Sequence, residues 1–155
     1  MAEKKVDTAN AGMVDRDGYN KVLENIAEAG YCPFCEEHFL KNHTQPILRK
    51  GEHWLVTENF RPYEGSTHHF LVVCLTHIEH IEDMTAGMVL EVFEHYNWLC
   101  KEYGLTGATL LFRSGDTDMT GATVRHLHYQ VIVGIKRRRN DSEVIKAVVG
   151  FKADR

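Results

Sequence analysis

No run of about 18 apolar residues occurs in the chain, so a membrane-spanning helix is not expected. The first twenty residues, Met1–Asn20, lack the apolar core of a signal peptide, which predicts a cytoplasmic protein. There is no basic excess. The formal net charge is −4 with neutral histidines, which argues against a nucleic-acid polymer as partner but leaves room for one small anion in a local pocket. Internal repeats and low-complexity tracts are also absent, which excludes repeat architectures. What remains, 155 residues with 43% hydrophobic and 26% charged side chains, suits one soluble domain. Two residue types stand out against this background. Ten histidines fall partly in tight clusters, and two of the four cysteines (32, 35, 74 and 100) form one Cys-x-x-Cys pair.

Residues 1–18 show no periodicity and are expected to be loosely packed, so the domain is drawn as an extension over 1–20 followed by a single unit over 21–155. Tyr19, Val22, Leu23 and Ile26 recur at helical spacing, with Gly30 as the stop, and Glu36–Lys41 reads as a further helical turn. Ile47–Leu48 and His53–Thr57 read as strands around a turn at Lys50–Glu52, and the continuous apolar run His69–Leu75 reads as a central strand. Met88, Val89, Val92, Phe93, Tyr96 and Leu99 mark a long helix, Thr85–Tyr103, with Thr85 as N-cap and Gly104 as C-cap. Thr109–Arg113 and Val124–Ile135 are strands, with a Gly-rich loop at Ser114–Gly121 between them. Ser142–Val149 reads as a short terminal helix capped by Asp141 or Ser142. The pattern is α+β: an antiparallel sheet of about five strands with one long helix packed on it.

The segment His126-Leu127-His128-Tyr129-Gln130 carries the chemistry. Side chains alternate along a strand, so His126, His128 and Gln130 share one face while Leu127, Tyr129 and Val131 face a core or a dimer partner. Three polar groups in a row on an otherwise apolar strand are costly unless they meet ligands or partners. Imidazole is a good nucleophile toward phosphorus when its second nitrogen is held by an acceptor.

On these residues the chain resembles the histidine-triad superfamily of nucleotide hydrolases and transferases. The triad pattern is His-φ-His-φ-His, and Gln130 in the third place resembles the branch typified by galactose-1-phosphate uridylyltransferase. Gly121-Ala122-Thr123 is similar to that branch's Gly-x-Ser, Thr57-Glu58-Asn59-Phe60 to its Thr-Asn-Asp-Phe, and His69–His77 to the family's His-φ-φ-φ-φ-Pro-Lys-x-His. The order holds from Cys32 to about Gly134. The resemblance implies that His128 accepts a nucleoside monophosphate covalently and that Gln130 bonds the phosphoryl oxygens. It also implies phosphate contacts from Gly121 and Thr123. Ser114 stands beside the place of a usual Asn, and Arg113 adds a phosphate-facing charge. For the ribose hydroxyls, Glu58 is the candidate by type and Asn59 by position. The substrate would be a nucleotide or nucleotide-sugar, and the family's habit of pairing through its long helix implies a homodimer.

In a chain of this kind Cys32-Pro33-Phe34-Cys35 reads as a metal or redox site rather than a structural disulfide, or else as a pair of packed thiols. Two thiolates are half of a tetrahedral zinc site. The resemblance supplies the other half as His77 and His126, with His80 as an alternative to His77, so structural zinc is expected. The function that follows is transfer of a nucleoside monophosphate through a nucleotidyl-histidine to a phosphate-bearing acceptor. The alternatives are a dinucleoside polyphosphate or phosphoramidate hydrolase, and a non-catalytic, zinc-stabilised nucleotide-binding module.

Overall fold

The apolar run read as a central strand lies in the middle of a five-stranded sheet. It forms β3 (His68–Cys74), and only His68 in it is not buried. In the computed structural model, which describes residues 4–12, 19–140 and 142–154, β3 lies between β2 (Trp54–Glu58) and β5 (His128–Val133). The hairpin partner β1 (Ile47–Lys50) and the strand β4 (Thr109–Phe112) form the edges. The order is β1-β2-β3-β5-β4, and every neighbouring pair is antiparallel. Both faces of the central strands are covered, which is why their hydrophobic runs are continuous rather than alternating.

One face carries the long helix α4 (Ala86–Tyr103). The Thr85 hydroxyl accepts from the Met88 N–H at 3.3 Å, and Gly104 closes the helix at φ +62°. Met88, Val92 and Leu99 pack on Trp54, Val56, Phe70, Val72, Leu127, Tyr129 and Val131. Each such side chain, fully buried, contributes roughly 1.5–3 kcal/mol. Trp54 and Tyr129, both wholly buried, have their polar ends satisfied by the helix itself: Trp54 Nε1 donates to the Met88 carbonyl at 3.0 Å, and the Tyr129 hydroxyl to the Val92 carbonyl at 3.2 Å. Leu127 and Tyr129 thus face the core.

The opposite face is covered over Leu55, Leu71 and Val73 by Phe39 of α3 (Glu36–Asn42), the helix that follows the cysteine pair. Among the described residues the other helices are α1 (Thr8–Gly12), α2 (Tyr19–Ala29), a 3₁₀ turn at Ile81–Asp83 and the single turn α5 (Thr117–Thr120), which interrupts the expected Ser114–Gly121 loop. Among the described residues, no helix is long and apolar enough to cross a membrane.

Both ends depart from expectation. Part of the 1–18 stretch is packed, not loose: Val6 is 2% exposed, clusters with Leu23 and Ile26 of α2, and bridges Val124, and Asp7 and Asn10 are buried, while residues 1–3 and 13–18 lie outside the described residues. That bridge also shortens the expected 124–135 strand, because Val124 is drawn to Val6 and the ladder with β3 starts at His128. Residues 142–149 form no helix. The segment is rich in β-branched residues (Val144, Ile145, Val148, Val149), which lose side-chain freedom in a helix. It lies instead against glycines: Ile145 beside Gly65 and Gly134, and Val148 beside Gly121. Asp141, the alternative cap, is outside the described residues.

Candidate active site and metal centre

His128 and Gln130 share a sheet face because their strand partners are Val73 and Leu71, the residues that meet Phe39 on the side away from α4. His128 is 6% exposed. Its Nδ1 lies 2.7 Å from the His126 carbonyl. A carbonyl only accepts, so Nδ1 carries the proton and Nε2 keeps its lone pair. The Phe34 ring meets the imidazole edge-on at 5.0 Å. Burial, joined by the Arg113 guanidinium, pushes the His128 pKa down to about 4, so the ring is neutral at physiological pH.

Gln130 is oriented by His69. The Tyr63 backbone N–H points at His69 Nδ1 at 2.9 Å, so that nitrogen must accept. His69 Nε2–H then donates to Gln130 Oε1 at 2.7 Å. With its oxygen taken, the carboxamide has its NH₂ left to donate, as a group that bonds phosphoryl oxygens must. Burial and the nearby Arg113 lower the His69 pKa to about 4 against the pull of Gln130. The groups facing it are the Tyr63 N–H and ring, Asn59, Gln130 and Arg113. The unfolded chain protonates this histidine near pH 6.5, about two and a half units earlier, so stability is full above pH 6.5 and falls as pH drops toward 4. We expect His69→Gln to flatten the pH dependence of unfolding across that window by up to about 3 kcal/mol. Urea midpoints at pH 4.5 and 7 for both proteins check it; parallel pH profiles would refute it.

The remaining predicted residues divide. Asn59 stands beside the His69 ring, its Nδ2 at 3.1 Å from Nε2. Glu58 does not: it pairs with Phe70 in the phase of Trp54 and Val56, on the α4 face. Arg113 Nη2 donates to the Tyr63 hydroxyl at 3.1 Å and to the Val148 carbonyl. Ser114 Oγ accepts from the Ile81 N–H at 2.8 Å. Gly121 ends α5 at φ +71°, and a Cβ there would sit 2.6 Å from Val148 Cγ1. Gly121→Ala is therefore expected to cost roughly 1–3 kcal/mol and to loosen the 142–154 segment, measured by urea unfolding and by proteolysis of that segment.

The cysteine pair resolves into a four-residue cluster. The ligand atoms of Cys32, Cys35, His77 and His126 all lie within 4.8 Å of one another. Cys32 Sγ is 3.4 Å from His126 Nδ1, Cys35 Sγ 3.4 Å from His77 Nδ1, and the two Nδ1 atoms 3.1 Å apart. His126 Nε2 donates to the Cys74 carbonyl at 2.6 Å, which leaves its Nδ1 as a lone pair aimed into the cluster. His77 Nε2 lies between the Lys5 ammonium at 3.4 Å and the Glu79 carboxylate at 3.5 Å. Two thiols and two imidazole nitrogens converging on one point fit a tetrahedral, thiophilic divalent cation. His80 is not in the cluster; its ring packs against Gly115. Glu79, absent from the sequence reading, is marked there only by its i+2 spacing from His77, which puts both on one side of an extended segment.

No protein-family model matches the chain, and no curated protein matches it. Solved structures do. A HIT family hydrolase from Legionella pneumophila is 18% identical, with 68% of this chain and 97% of that one aligned at a TM-score of 0.53. A histidine triad protein from Clostridium difficile is 22% identical over 66% and 90% of the two chains, at 0.51. A Zn-bound histidine triad family protein from Mycobacterium smegmatis is 18% identical over 70% and 77%, at 0.50. At such identities the likeness is one of fold, and the fold of this chain is HIT-like, an α+β sheet with its histidine row on the face away from the long helix.

Proposed function

We propose that this chain is a nucleotide-binding enzyme that transfers a nucleoside monophosphate through a covalent intermediate on His128 to a phosphate-bearing acceptor. The observation that carries the reading is the locked tautomer of His128, which leaves a neutral, unprotonated Nε2 on the strand face that also holds Gln130. Nε2 attacks the α-phosphorus of a nucleotide or nucleotide-sugar. A P–N bond forms, and the P–O bond to the leaving group breaks with its electron pair going to that oxygen. The acceptor oxygen then attacks the same phosphorus, and the P–N electrons return to the ring. Gln130 and the amides of the 121–124 segment stabilise the charge on the phosphoryl oxygens, with Thr123, Ser114 and Arg113 bordering the phosphate and Asn59 the nucleoside. Cys32, Cys35, His77 and His126 would hold zinc, whose contribution is structural: it fixes the start of the strand that carries His128.

Hydrolysis is the second reading, and the fold shared with the Legionella hydrolase supports it equally. In that case the second attack is by water. A non-catalytic, zinc-stabilised module would bind nucleotide and form nothing. Intact-protein mass after incubation with UDP-glucose, diadenosine tetraphosphate and an adenosine phosphoramidate tests all three. A nucleotidyl adduct mapped to His128 supports the enzyme, and its survival in water until phosphate or a sugar phosphate is added supports transfer. Binding without adduct or turnover sinks both enzymatic readings. The same reading includes a homodimer through α4, supported by exposed Val89, Leu90 and Phe93 on that helix.

A further inference from the structure

Asp7 and Asn10 lie outside the face that bears His128, yet they are 1% and 7% exposed; both reach the 117–123 segment, and Asp7 Oδ2 also pairs with the Lys4 ammonium at 3.0 Å. Asn10 Nδ2 donates to two carbonyls, those of Thr117 and Ala122, both at 2.8 Å. The Asp7 N–H donates to the Thr123 carbonyl at 2.8 Å. Asp7 Oδ2 accepts from the Thr117 hydroxyl at 3.0 Å, and its Oδ1 accepts from the Ala9 and Asn10 N–H groups at 3.1 and 3.2 Å. The carboxylate therefore holds both the loop and the residue that grips it. Val6 against Val124, and the Arg125 N–H on the Lys5 carbonyl at 3.0 Å, extend the seam toward His126.

The consequence lies in the peptide planes. A trans peptide is rigid, with its C=O and the following N–H pointing opposite ways, and no described peptide is cis. In an extended chain successive carbonyls alternate sides. Here two successive carbonyls, Ala122 and Thr123, are drawn to the same arm. The N–H groups of Thr123 and Val124 are turned together the other way. Paired amides of this kind form an anion-binding concavity.

We propose that Asp7 and Asn10 are positioning residues that hold the 117–123 carbonyls so that the Thr123 and Val124 amides are presented together to a phosphoryl oxygen of the nucleotide. This rests on the nucleotide reading above but not on its covalent step. The amino-terminal arm thus backs the phosphate cradle, acting through the 117–123 segment it is bonded to.

The test is amide NMR of the zinc-loaded full chain titrated with AMP. Asn10→Asp keeps the side chain's shape but sets an acceptor against the two carbonyls, and Asn10→Ala, which only removes the donors, serves if the first variant does not fold. In the parent the Thr123 and Val124 amide signals move with AMP. In the variant they do not, AMP binds about tenfold more weakly, and kcat falls about 100-fold while the rest of the spectrum is kept. Parent amides that ignore AMP, or a variant that responds as the parent does, overturn the proposal. An AMP response without any His128 adduct supports the arm's role and sinks the reaction; an adduct without the response does the reverse.

Discussion

Replacing His128 by asparagine is expected to abolish the nucleotidyl adduct and to lower turnover by roughly four to six orders of magnitude, with AMP affinity changed only a few-fold. The size follows from the absence of a substitute. His126 spends Nε2 on the Cys74 carbonyl and aims Nδ1 into the cysteine cluster. His69 has both nitrogens engaged, one by the Tyr63 N–H and one by Gln130. Arg113 is a permanent cation and no nucleophile. Asparagine can keep the donated bond to the His126 carbonyl that His128 makes through Nδ1, so the strand start should survive. The check is intact mass plus single-turnover kinetics on the variant beside the parent. An adduct that persists in His128→Asn, or that maps to another histidine, would remove His128 from the centre of the mechanism.

Much of this site was legible because period-two alternation leaves a plain record. Leu127 and Tyr129 in the core, with His128 and Gln130 on the other face, follow from spacing alone. The same rule, applied to β2, sends Glu58 with Trp54 and Val56 to the α4 face and leaves Asn59 beside His69, which separates the candidate by type from the candidate by position. The choice between His77 and His80 was not legible, since it turns on where the chain bends after β3 and on Glu79 meeting His77. The ends were least legible. Val6 finds its partner at Val124, and Asn10 finds its carbonyls at 117 and 122, contacts that no local window contains. The 142–149 stretch, read as a capped helix, is rich in β-branched residues and instead places Val148 against Gly121 with its carbonyl on Arg113.

Those long-range ties make the metal cluster the second large effect. It joins the turn before α3, the segment just after β3 and the residue two before His128; the last two are also tied by the Leu127 N–H on the Ile78 carbonyl at 2.6 Å, so the cluster chiefly anchors the cysteine turn. Without a cation the cysteine turn meets His77 and His126 through thiol–imidazole contacts of 3.4 Å, which are weak hydrogen bonds at most. The cluster should therefore open when it is emptied, releasing Phe34 from the His128 ring. The full chain is expected to bind one zinc. Chelation, or Cys32→Ser with Cys35→Ser, is expected to cost at least about 4 kcal/mol, a fall in Tm of roughly 10 °C or more for a chain of this size. Adduct formation should be lost with it, because the His126 carbonyl that fixes the His128 tautomer belongs to a metal ligand. Metal content, calorimetry with and without chelator, and adduct mass on the same samples test this. A protein that carries no zinc as purified and keeps its Tm and its adduct in the double serine variant would return Cys32 and Cys35 to packed thiols, and would leave His128 held by the sheet alone.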